Sequence, residues 1–237
     1  MQFVTIRLIS VLVATIACAI SCDFPVLAAD EESAPAKSPF DESSSAAGKA
    51  EEKPEIVCTS PKGAFMIETV LTKAEDPADE YEQQYVVSTV DPNIREPLGE
   101  KRQAQPATYF ISPDEQWIFA QVHYGSGMGG ARLYQRKKDF QFQQVMDGKS
   151  IWEFFEKQAL AGKKRPSDWS VEIVDFVSWS PDSARVHFSL RTGKRVTGKG
   201  SFGYYDWHAY YNVRSGKLEL TDDFRALNRS AHVRPED

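Results

Sequence analysis

Four histidines occur in the chain, and two of them, His187 and His208, fall in neighbouring strand-like segments, ARVHFSLR at 184–191 and YYDWHAYYNV at 204–213. Apolar residues alternate in both, which predicts an antiparallel pair with one buried face. Pairing Phe188 with Trp207 puts Leu190 opposite Tyr205 and Val186 opposite Ala209 on that face. The other face then sets His187 across from His208, Ser189 across from Asp206 and Arg191 across from Tyr204. Two imidazoles and a carboxylate form a transition-metal donor set, so His187, Asp206 and His208 are candidate metal ligands. Ser, His and Asp are also the residue types of acyl transfer, so a hydrolase or metal-dependent enzyme is the chemical alternative for this face. The simpler alternative is the solvated side of an amphipathic hairpin. A slip of two residues would keep the faces and separate the histidines. The sequence locates no oxyanion hole or pocket, and no organic cofactor is implied.

A second set of candidates lies in three loops: acidic KAEDPADEYE from Lys73, glycine-rich GSGMGG at Gly125 to Gly130, and basic TGKRVTGKGSFG from Thr192. The acidic loop lacks the central Gly and terminal Glu of a calcium-binding hand. The glycine loop lacks the Gly-Lys-Ser/Thr of a phosphate loop, and no helix opens after it. Its glycines let backbone approach a partner closely. The loops take the same place in a repeated unit, which predicts a shared rim, acidic at one end and basic at the other. His123, Tyr124, Ser126, Gly127, Lys194, Arg195 and Tyr204 are the candidate binding residues. Aromatics beside such loops suit recognition of a protein or glycan.

The repeated unit positions both sets. VCTSPKGAFMI from Val57, YFISPDEQWIF from Tyr109 and VSWSPDSARVHF from Val177 share Ser-Pro-Asp or Ser-Pro-Lys between apolar runs. Proline fixes φ for the first central position of a turn, and Ser and Asp bond to nearby backbone. Each copy continues through a loop, a second pair of strands and a closing turn. Ser60, Ser112 and Ser180 are 52 and 68 residues apart, near the repeat lengths of propellers and other arrays. The phrase SPDxxxφxφ, a loop, LY or YY and a turn near Leu-Thr, as in HAYYNVRSGKLELTDD, resembles the blade repeat of TolB-like periplasmic propellers. The resemblance touches most of residues 57–221. It implies β meanders and a binding role, and it carries over no catalytic residue. The glycine usual after SPD is present only as Gly63. Three copies fall short of a closed ring, so the expected fold is mainly β, with antiparallel meanders in three propeller-blade-like repeats in an open or sandwich-like arrangement. The YGSGMGGARLY stretch is similar to the Ser-Gly loops of bacterial periplasmic lysozyme inhibitors, which implies a further alternative, an inhibitor of an exogenous enzyme.

One amphipathic helix is inserted between the second and third repeats. Ser150 and Glu153 read as a capping box, Ile151, Trp152, Phe154 and Phe155 as its apolar side, and Gly162 as its stop. Before the repeats, Arg7 and the thirteen-residue apolar run Leu8 to Ile20 predict an export signal, residues 1–29. Cleavage at Cys22 is the alternative and would make that residue a lipid anchor. Residues 30–55 carry eight acids and three bases, a net of −5 of the whole chain's −6, and read as a disordered acidic linker. The single domain is then 56–228, with a frayed tail at 229–237. Only Cys58 would survive ordinary cleavage, so no internal disulfide is expected. The expected location is periplasmic or secreted, with lipid anchoring as the alternative. The expected partner is a protein or glycan of the cell envelope. The bases are scattered and the net charge is negative, which argues against nucleic acid. The favoured function is a non-enzymatic exported binding module.

Overall fold

The computed structural model describes residues 53–73, 80–100, 102–103, 105–125, 127–195 and 201–233. The export signal, Cys22, the linker as far as residue 52, Ser126 and the loop tips at 74–79 and 196–200 lie outside the described residues. The fold is mainly β and its meanders are antiparallel. The first unit is β1 (Glu55–Thr59), β2 (Phe65–Thr72), β3 (Tyr81–Ser88) and β4 (Arg95–Pro97), paired in that order, with β5 (Arg102–Gln103) also on β3. The second is β6 (Ala107–Ile111), β7 (Trp117–Gly125), β8 (Met128–Arg136) and β9 (Phe142–Asp147). Helix α1 (Gly148–Ala159) follows. The third unit is β10 (Val171–Trp179), β11 (Arg185–Arg195), β12 (Ser201–Asn212) and β13 (Lys217–Glu219). Helix α2 (Asp222–Leu227) and β14 (His232–Val233) end the described chain, and β14 pairs with β12. The second and third units join through one parallel pair, Glu172 with Met128.

The three Ser-Pro turns have one construction. Ser60, Ser112 and Ser180 each accept, on the side-chain oxygen, the N–H of the residue five places on: Phe65, Trp117 and Arg185, at 3.1, 3.0 and 2.9 Å. Their carbonyls accept the N–H of Gly63, Glu115 and Ser183, each at 2.9 Å. Those three residues are left-handed, with φ of 74°, 62° and 56°. Left-handed backbone costs a non-glycine residue roughly 1–2 kcal/mol. Here the side chains offset that cost across repeats. The Glu115 carboxylate accepts the N–H of Lys62 at 2.7 Å, and the Ser183 hydroxyl accepts that of Asp114 at 3.0 Å. Both acceptors are buried. The missing glycines are thus replaced by residues that bond one turn to the next.

Alternate side chains of β7 face opposite ways, as strand geometry requires. Ile118 and Ala120 pack with Phe65, Ile67, Val86 and Leu98 of the first unit. Trp117 and Phe119 join Val186, Phe188 and Leu190 of the third. The second unit therefore lies between the other two, with a core on each side. In β2 and β3 the pair that joins this core is Ile67 with Val86, while Val87, also buried, alternates to the other face of its strand.

Three boundaries differ from the sequence reading. The helix cap is Asp147, not Ser150; its carboxylate accepts the N–H and hydroxyl of Ser150 at 3.1 and 3.0 Å. At the far end Ala161 and Gly162 are both left-handed, and Lys164 and Arg165 bind the side chain of Glu156 at 2.9 and 3.1 Å. The tail is not frayed from 229: Ala231 is buried, its carbonyl accepts the Tyr205 N–H at 2.8 Å, and β14 follows. Strand β1 begins at Glu55, one residue before the expected domain start.

Candidate functional site

The His187 and His208 hairpin forms, with its register two residues away from the predicted one. Phe188 pairs with Ala209, Leu190 with Trp207, Ser189 with His208 and His187 with Tyr210. The reason is a bulge: Thr192 pairs with Tyr204 while Leu190 pairs with Trp207, so Arg191 stands opposite both Tyr205 and Asp206. Asp206 adopts φ 52° there, a conformation aspartate tolerates. The slip preserves the buried face and leaves the histidines as diagonal neighbours, His187 Nε2 2.9 Å from His208 Nδ1. It does not assemble the metal trio. Asp206 is exposed, and among the described residues no three His, Cys, Asp or Glu side chains are grouped to hold a metal ion. Arg191 instead bonds Asp175 at 2.7 Å, and Asp175 also takes the Gln121 amide at 2.9 Å, tying β7 to β10 and β11.

The histidine face is covered by α2. Phe224 stacks on His187 at 4.7 Å and on Tyr210 at 4.6 Å. The Asn228 side chain takes both backbone groups of His208, accepting its N–H at 2.7 Å and donating to its carbonyl at 2.8 Å. That amide closes the middle of the β12 edge between β13 and β14, where an open strand would invite pairing. Burial, then the neighbouring His208 charge, pushes His187 down to about 4; burial also lowers His208, against the pull of Asp206. A histidine with a depressed folded pKa binds fewer protons folded than unfolded, so its contribution to stability is lost as pH falls from about 6.5 toward 4. With both rings partly solvated, the loss is roughly 1–2 kcal/mol. His187→Phe is expected to flatten this part of the profile in urea denaturation at pH 7 and pH 4.5. Parallel pH profiles for the two proteins would refute the assignment.

The loop bases are linked by a series of hydrogen bonds, one to a side chain and the rest between backbone groups. Gln105 N–H reaches the Glu82 carboxylate at 3.3 Å beside the acidic loop. Pro106 O accepts the His123 N–H at 2.9 Å. Gly127 O accepts from Glu172 at 2.8 Å, and Gly193 O from Ser170 at 3.0 Å. The ends of the three hairpins are so linked in the order acidic, glycine-rich, basic. Lys194 pairs with Asp168 at 3.1 Å. Arg195 is placed only as a backbone residue of β11, paired with Ser201. Tyr204 turns inward, its ring 5.3 Å from Phe155 and 6.2 Å from Trp169, so it belongs to the core margin rather than to a rim.

Beside the glycine hairpin opens a cleft of about 300 Å³, lined by Tyr124, Met128, Gly130, Arg132, Lys149 and Trp152 among others. Tyr124 and Met128 are 44% and 48% exposed. The Tyr124 ring lies over Gly130, where an added Cβ would meet its hydroxyl at 2.7 Å and its Cε2 at 2.8 Å. Glycine at 130 is therefore what seats this aromatic, and Arg132 reaches its hydroxyl at 3.4 Å. Trp152 is fixed from behind by the Arg165 guanidinium, 4.4 Å from its ring centre. Of the candidates beside the loop, Tyr124 lines the cleft, whereas His123 is exposed and outside its lining. Met128, Arg132, Lys149 and Trp152 were not legible as candidates, because their meeting depends on α1 docking against β8. The signal available was the alternation in ARLYQRKK, which sets Arg132 outward between buried Ala131 and Leu133. Cys58 is free and half-buried, and burial pushes its thiol up, away from reactivity.

No family model matches the chain. No curated protein matches it either. Among solved structures the chain is similar to a protein of Agrobacterium tumefaciens named provisionally as TolB, at 14% identity over 73% of this chain, with a TM-score of 0.27. The match spans 62% of that protein's length. Among the described residues no helix is long and apolar enough to cross a membrane.

Proposed function

We propose that the chain is an exported, non-enzymatic binding module that recognises a protein or an envelope polymer through the side where the hairpin ends meet. The observation that carries this reading is the cleft at the glycine hairpin. It presents Tyr124 and Met128 to solvent, the tyrosine lying over Gly130 and accepting a bond from Arg132. Tyr, Trp, Met and Arg are the residue types that concentrate at recognition surfaces, and a ring held in place before contact loses little freedom on binding. The enzyme reading lacks comparable support. His187 and His208 engage each other under Phe224, and Asp206 stands apart from that pair on an exposed bulge.

The test is capture from an envelope extract by the immobilised exported chain, beside Tyr124→Ala and Met128→Ala variants that unfold at the same temperature. A partner retained by the native chain and lost by the variants supports the reading. Equal retention by all three proteins would move recognition away from this cleft.

A further inference from the structure

The charges around this cleft are unequally engaged. Two carboxylates and two cations line it: Asp147, Glu172, Arg132 and Lys149. The Asp147 carboxylate accepts the N–H and hydroxyl of Ser150. The Glu172 carboxylate holds Arg165 at 2.9 Å. Both acids are therefore occupied in maintaining α1 and its junction with β10. Arg132 has the Tyr124 hydroxyl at 3.4 Å and, among the described residues, no carboxylate within ion-pair distance. Lys149 has an 80% exposed side chain whose ion-pair partner is Glu153, at 3.9 Å. The charged donors left to meet a ligand are the Arg132 guanidinium and the exposed Lys149 ammonium, beside an apolar surface of Tyr124 and Met128.

On the binding-module reading, we infer that this cleft takes an acidic peptide segment of a partner protein. Its carboxylates would pair with Arg132 and Lys149 while an adjacent apolar side chain lies on Tyr124 and Met128. Peptide is favoured over glycan by what the cleft lacks. A sugar's hydroxyls both donate and accept and are suited by side-chain amides, and no Asn or Gln lines the cleft, while one oxygen of Asp147 is held by Ser150 and one of Glu172 by Arg165. Methionine, unbranched and polarizable, adapts to the varied apolar side chains of a peptide.

The experiment is fluorescence anisotropy with the exported chain and a labelled peptide of Asp-Glu-Leu repeats, set against a Lys-Lys-Leu counterpart and an oligogalacturonate. The acidic peptide is expected to bind, to weaken as salt rises, and to lose about tenfold in affinity with Arg132→Gln or Lys149→Gln. Lys217→Gln, at an exposed lysine outside the cleft, is expected to leave binding unchanged. Lys149 is exposed enough that its variant tests the charge even if Arg132→Gln perturbs β8. The inference is overturned by equal binding of acidic and basic peptides, by indifference to Lys149→Gln, or by oligogalacturonate binding in place of peptide. If neither peptide binds while the extract partner is still lost on Tyr124→Ala, the acidic-peptide inference fails and the binding module stands.

Discussion

Gly203→Ala is expected to destabilise the domain by about 3 kcal/mol, at the upper end of what a single added methyl does. Gly203 of β12 faces Gly193 of β11. An added Cβ would overlap the Thr192 carbonyl oxygen and come within 2.5 Å of the Gly193 Cα and 2.9 Å of the Thr192 carbonyl carbon. All three are backbone atoms, so no side-chain rotation relieves the overlap, and the two strands must part. The φ of +155° adds strain for any L side chain. Parting would reach the loop bases, because Gly193 O receives the Ser170 N–H and Gly127 packs on Ser170. Urea denaturation reads the result directly. A midpoint equal to that of the native chain would mean that the strands are not so closely apposed.

Phe155→Ala is expected to cost about 3–5 kcal/mol, the range for a fully buried phenylalanine. Its ring is 0% exposed and meets Trp207 edge-on at 5.2 Å and Tyr204 at 5.3 Å. These contacts bind α1 to the third unit, while Ile151 and Trp152 of the same helix belong to the same core. A wide apolar helix side either packs inward or serves a partner, and here Ile151, Trp152 and Phe155 are buried. The substitution separates the two. A large fall in stability marks the helix as part of the core, and an unchanged midpoint with lost partner capture would mark it as a docking surface.

Much of the fold was legible because it is written in local chemistry. Each Ser-Pro phrase became the same turn, since the serine oxygen, the proline φ and the apolar flanks act within a few residues. The inserted helix followed from its spacing of Ile151, Trp152 and Phe155. What stayed hidden depends on distant chain or on one unusual dihedral. The hairpin register hung on Asp206 becoming left-handed, which moved His187 from His208 to Tyr210 as its direct partner. The cap moved to Asp147 because the helix starts as soon as β9 ends, leaving Ser150 as the donor to the cap. Asn228 reads as an ordinary helix-end residue, and only the fold shows it imitating a strand against His208. The recognition cleft was half legible: Tyr124 beside the glycines was visible, whereas Arg132 and Trp152 come from different elements.

The bonds between Ser-Pro turns have a direction. In each, the N–H comes from the earlier turn and the side-chain acceptor from the later one, Lys62 to Glu115 and Asp114 to Ser183. A unit placed ahead of the first would meet Gly63, which has no side chain to accept its bond. A unit placed after the third would find the far face of β11 and β12 already under Phe224. The two ends of the described array therefore differ, the first turn offering no side-chain acceptor and the last hairpin carrying an aromatic cover.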